Sequence, residues 1–208
     1  MIPHWQLLRP HQWVKNTACL AGVVFGGRLA EPLALQQAAL TFVVFSLAAS
    51  AVYVFNDIQD LPRDRLHPRK CQRPLPSGTV SLPQAWAIAG GLGVGAAVLA
   101  GGLGPAGAWC AALYLGLNLA YSLQLKHVVL VDVHCIALGF VLRLLAGIYA
   151  LGDRPPAGSC CAHSFWLCFW AWPNGGESWG NTRKPPGNDP FWPGTPCPFS
   201  IAPSTTRR

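Results

Sequence analysis

Ser50-Ala-Val-Tyr-Val-Phe-Asn-Asp-Ile-Gln-Asp-Leu-Pro-Arg-Asp-Arg-Leu-His-Pro-Arg-Lys-Cys-Gln-Arg-Pro74 runs from an apolar stretch straight into acids and then into bases. Carboxylates are expensive inside a bilayer, so the boundary after Phe55 reads as the point where a membrane helix reaches water. Composition agrees. Of 208 residues, 51% are hydrophobic and 11% charged, whereas a soluble domain carries about 25% charged residues. A soluble enzyme, a secreted disulfide scaffold and a disordered chain are therefore poor fits. The expected class is an all-α integral membrane bundle.

Working outward, five apolar stretches stand at roughly Thr17–Gly27, Leu35–Phe55, Ala85–Leu103, Ala106–Leu125 and Val128–Leu151. A spanning helix needs about 20 mostly apolar residues. The last four qualify, and the first does so only if its helix begins near Pro10. About five transmembrane helices are expected. Arg9 and Lys15 precede the first, Arg63, Arg65, Arg69, Lys70 and Arg73 follow the second, and Lys126 follows the fourth. The other side holds only Arg28. This asymmetry predicts a cytoplasmic N-terminus and cytoplasmic 56–83 and 123–127 loops, in a multi-pass protein of the cell (inner) membrane. Basic residues so placed answer to topology, and no nucleic-acid partner is expected.

The acid-then-base loop can carry chemistry. Asp57, Asp60 and Asp64 are spaced i, i+3, i+7 and on a helix share one face. Three carboxylates converging in this way suit Mg²⁺, which takes a few carboxylates and completes its coordination with water and substrate phosphates. Arg63, Arg65, Arg69, Lys70 and Arg73 follow at once, as phosphate oxygens demand. The plainer alternative is a positive-inside loop whose acids merely pair with its bases. Pro62 removes a helical hydrogen bond between Asp60 and Asp64, so Asp64 is expected to be displaced from the shared face. A second cluster comprises Tyr121, Lys126, Asp132 and Arg143. Asp132 and Arg143 lie within one apolar helix about 16 Å apart, too far to pair. Each needs a partner on another helix or water in a cavity, and a purely structural ion pair in the bundle is the competing reading.

After Leu151 the character changes. The last 57 residues hold 10 of the 19 Pro, 5 of the 9 Trp and 4 of the 8 Cys, with neither helical nor strand periodicity. Joining the third base of each codon to the first two of the next turns 159–173 into a nearly unbroken apolar run; Cys160–Cys161 and Phe165–Trp166, for example, each become Leu. A change of reading frame near 151–158 is the expectation. It divides the chain into a membrane domain, 1–151, and an irregular Pro/Trp/Cys-rich tail, 152–208.

Four segments carry a resemblance: Leu8-Arg-Pro-His-Gln-Trp-Val-Lys-Asn16, Ser50 to Asp60, Asp64-Arg-Leu-His-Pro-Arg-Lys-Cys-Gln-Arg-Pro74, and Leu125-Lys-His127 with Gly139-Phe-Val-Leu-Arg143 and Ala146-Gly147. Residues 8–151 resemble the UbiA prenyltransferase superfamily, in particular its decaprenyl-phosphate phosphoribosyltransferase branch. That resemblance implies nine membrane helices around a central cavity, of which this chain would hold about half, in a truncated and inactive form. It implies Mg²⁺-assisted transfer of 5-phosphoribosyl from phosphoribosyl diphosphate to a polyprenyl phosphate. By position, Asn56, Asp57, Asp60 and Asp64 would bind metal and diphosphate, the three Asp being the catalytic set. Lys15, Asn16, Asn56, Arg65, Lys70, Arg73, Tyr121, Lys126 and Arg143 would bind substrate. Cys71 stands where the branch usually has Arg. Two rival readings are prenyl transfer from a prenyl diphosphate to a small acceptor, and a non-catalytic membrane subunit.

Overall fold

A computed structural model describes residues 3–123 and 129–153, those at 3, 4 and 129–133 as backbone alone. The described residues are all-α, as the composition predicts. In chain order the elements are α1 (Pro3–Leu8), a 3-10 helix (Pro10–Leu20) running directly into α2 (Ala21–Phe25), then α3 (Pro32–Leu66), α4 (Leu82–Ala100), α5 (Gly104–Leu123) and α6 (Val129–Ala150). Two stretches, Pro32–Leu66 and Leu82–Leu123, are long and apolar enough to cross a membrane. The second folds back on itself at Gly104, whose φ of 72° suits glycine.

The segments alternate in direction. Trp13 reaches Ser50, and Asn16 reaches Ser46, so Pro10–Phe25 runs antiparallel to α3. Gly95 faces Leu47 and Gly102 faces Leu40, which sets α4 antiparallel to α3. Gly107 lies near Ala146, and Gly139 near Tyr114, which sets α5 antiparallel to α6. The 3-10 winding of Pro10–Leu20 has a use here. Its rise of about 2.0 Å per residue stretches Pro10–Phe25 to about 30 Å, against about 24 Å for an α-helix of that length.

The core sits where α3, α5 and α6 meet the first segment, with Phe45, Tyr114, Leu142 and Cys19 buried. Cys19 and Cys110 are buried in it as small hydrophobes. Small residues permit the closest approach: a Cβ on Gly147 would collide with the backbone carbonyl of Cys19. By contrast α4 buries only alanines (85, 89, 96 and 100) and leaves Val94 and Val98 exposed, as does α5 with Trp109 and Leu113. An apolar outer face of this kind suits lipid. A second cluster of Leu7, Val54, Leu75, Val80 and Ala85 ties the loop after α3 onto the bundle end. At the opposite end Arg28 bonds Glu31, Asp153 and the Leu151 carbonyl. Lys126, and the chain from residue 154 onward, lie outside the described residues, as does the Asp132 side chain.

Candidate active site

The site grows from the last three turns of α3. This helix continues through Pro62 to Leu66, so the expected displacement of Asp64 is corrected. Proline forfeits one backbone bond on an exposed face, and the helix continues past it for a further turn. Seven residues apart, Asp57 and Asp64 therefore lie on one face, buried to 6% and 3% exposure. Asp60, between them, is half-buried, as is Asn56.

Two buried carboxylates require cations. Arg9 donates Nη2 to Asp57 Oδ1 at 2.5 Å. Arg73 Nη1 reaches both acids, at 2.8 Å to Asp64 Oδ2 and 3.5 Å to Asp57 Oδ1. Lys70 Nζ stands 3.7 Å from Asp64 Oδ1. The supporting loop is built for this. His67 Nδ1 accepts from the backbone N–H groups of Arg69 and Lys70, a short 3-10 turn spans Lys70–Gln72, and the buried Leu75 and Val80 pin the return. Arg9 is held by its own backbone, at φ 50° and ψ 58°. That left-handed conformation costs a non-glycine residue about 1–2 kcal/mol. It is supported by the Trp13–Ser50–Leu8 chain of hydrogen bonds and by the stacking of the guanidinium over the Tyr53 ring at 5.2 Å.

Beside these groups opens a cleft of about 520 Å³. Arg9, Arg69 and Arg73 supply its positive charge, Asp57 its negative charge, and Gln6, His11, Gln12 and Gln72 further hydrogen-bonding groups, with Pro74 beside them. Such a wall offers hydrogen-bond partners to hydroxyls and phosphate oxygens.

The other expected residues divide. Lys15 is exposed on the 3-10 helix, and Arg65 is exposed on the last turn of α3. Tyr121 is half-buried in the last turns of α5. Asn16 and Arg143, expected among the substrate-binding residues, are bonded to each other. Arg143 Nε donates to Asn16 Oδ1 at 2.8 Å and Nη2 donates to the Tyr114 hydroxyl at 2.8 Å, all within the core. The partner that Arg143 needs on another helix is thus supplied. The four-ligand set Asn56, Asp57, Asp60 and Asp64 is not assembled as a cage: among the described residues no three His, Cys, Asp or Glu side chains stand ready around one cation. The reason is electrostatic, since Arg73 occupies the space between Asp57 and Asp64. Arg9 and Gln72 line the cleft although sequence position alone does not mark them, Arg9 standing within the Leu8–Asn16 segment. Nothing in a linear reading marks Tyr114.

The UbiA prenyltransferase family model matches residues 17–175. A decaprenyl-phosphate phosphoribosyltransferase of Mycobacterium tuberculosis is 40% identical over 144 residues, 67% of this chain and 48% of that protein. One from Corynebacterium glutamicum is 37% identical over 150 residues, 70% of this chain and 45% of that protein. The chain thus spans about half the length of the curated relatives it matches. A UbiA homologue from Archaeoglobus fulgidus, solved bound to GPP and Mg²⁺, superposes with a TM-score of 0.74 at 23% identity, over 86% of this chain and 64% of that one.

Proposed function

This chain belongs to the UbiA prenyltransferase family, and on that premise we propose that its site serves transfer of 5-phosphoribosyl from phosphoribosyl diphosphate to a polyprenyl phosphate at the cytoplasmic face of the inner membrane. The observation that carries the reading is the polar wall of the cleft beside Asp57, with Gln6, His11, Gln12 and Gln72 among three arginines. A phosphorylated sugar finds hydrogen-bond partners there, whereas an isoprenoid tail would leave those groups dehydrated and unpaired. The names of the two mycobacterial and corynebacterial relatives point the same way.

In the reaction the bond from the ribosyl C1 to diphosphate breaks, diphosphate leaves with the electron pair, and a phosphate oxygen of the lipid bonds to C1. Arg9, Arg69 and Arg73 bind and neutralise the anionic leaving group, and Lys70 adds charge at Asp64. The donor set fits Mg²⁺, since Asp57 and Asp64 already converge on one cationic nitrogen and offer hard oxygens. Those two acids would hold it, with Asp60 and Asn56 one turn away at most. Bound Mg²⁺ would lower the cost of charge on the departing diphosphate. Positioning is the remaining work of the protein, performed by the Arg9 turn and the 67–80 loop.

The test is hydrogen exchange over residues 56–78 of the reconstituted protein with Mg²⁺ and either phosphoribosyl diphosphate or a prenyl diphosphate. Protection by the first is expected. Protection by the prenyl compound alone moves the assignment to prenyl transfer, and protection by neither reduces the acidic loop to a topology element.

A further inference from the structure

The two acids expected to hold a divalent ion are already neutralised from within. Three side chains of the protein, Arg9, Lys70 and Arg73, contact Asp57 and Asp64, and one of them touches both. The Arg73 side chain is 37% exposed and lines the cleft, while both carboxylates are buried. A divalent ion offered alone must displace that guanidinium, which would then stand uncompensated beside Arg9 and Arg69 on the same wall. Diphosphate removes the difficulty by giving the displaced cation new acceptors, without its leaving the cleft.

We infer that Arg73 is an internal counter-cation, held between Asp57 and Asp64 until diphosphate draws it away, so that divalent-metal uptake depends on the anion. The inference rests on the donor site proposed above and adds a coupling to it. Arg73 then has two partners in sequence: the carboxylate pair at rest and a phosphate oxygen when the donor is bound. Linkage makes the effect reciprocal, so metal tightens diphosphate by the same factor as diphosphate tightens metal. The arrangement disfavours loading of the acids by stray metal in the absence of substrate.

Mn²⁺ is the probe. Equilibrium dialysis of the full chain in nanodiscs, with and without inorganic diphosphate, measures the Mn²⁺ retained by protein. For the wild type, diphosphate should tighten Mn²⁺ binding about ten-fold, within the usual range of such couplings. Arg73→Gln should bind Mn²⁺ alone several-fold more tightly than wild type and lose most of the enhancement. Arg73→Lys keeps the charge and serves as the folding control, with a wild-type pattern expected. An Arg73→Gln protein that binds Mn²⁺ alone no better than wild type, while still responding to diphosphate, overturns the counter-cation role and leaves the donor site standing. Failure of wild type to retain Mn²⁺ under either condition overturns the metal site itself, and the coupling with it.

Discussion

Arg143 and Arg73 each donate to an oxygen at 2.8 Å, yet they belong to different kinds of structure. Arg143 is 6% exposed, meets Asn16 and Tyr114 from two other segments, and lies against the Tyr114 and Phe140 rings at 4.6 and 5.2 Å. Its Nε and Nη2 donate to neutral groups, Asn16 Oδ1 and the Tyr114 hydroxyl, and Asn16 is itself tied to Ser46. Arg73 shares two carboxylates with two other cations at the edge of a cleft. A closed polar network specifies how helices pack. A cluster that is charge-balanced only by side chains bordering open space can exchange partners.

The contrast can be broken most sharply in the core. Arg143→Met should destabilise the protein by about 2–4 kcal/mol, because Asn16 and Tyr114 lose their buried partner. The readout is thermal unfolding in detergent, and an unshifted Tm would place Arg143 with the expendable arginines. Next in size is Gly147→Ala, where the new Cβ meets the Cys19 backbone and separation of the two segments should cost about 1–3 kcal/mol. Unfolding midpoints that match wild type would show that the first segment is held elsewhere. Arg73→Gln reverses the pattern. Asp57 keeps Arg9 and Asp64 keeps Lys70, so the loss of stability should be smaller than for Arg143→Met, while protection of residues 56–78 by phosphoribosyl diphosphate should fall markedly. The smallest effect belongs to Arg28→Gln at the far end. There the guanidinium bonds to exposed Glu31 and Asp153, and neither Tm nor donor protection should move.

Much of the site was legible because helical spacing is local. Asp57 and Asp64 on one face follow from the 3.6-residue period, and the basic run after them is visible in the chain itself. Pro62 misled, since α3 continues past it for a further turn. Arg143 was legible as a residue in need of a partner but not as a partner of Asn16, which lies 127 positions away. Nor could Arg9 be matched to Asp57 across 48 positions.

Sequence alone determined the class, the family resemblance and the acidic face, because composition, motif and period act over a few turns and survive any packing. Tertiary structure alone decided which cations meet which acids, that Asn16 meets Arg143, and that Arg73 stands between Asp57 and Asp64. Those outcomes depend on which helices become neighbours, and a charge buried by that choice takes whatever partner the packing brings within about 3 Å.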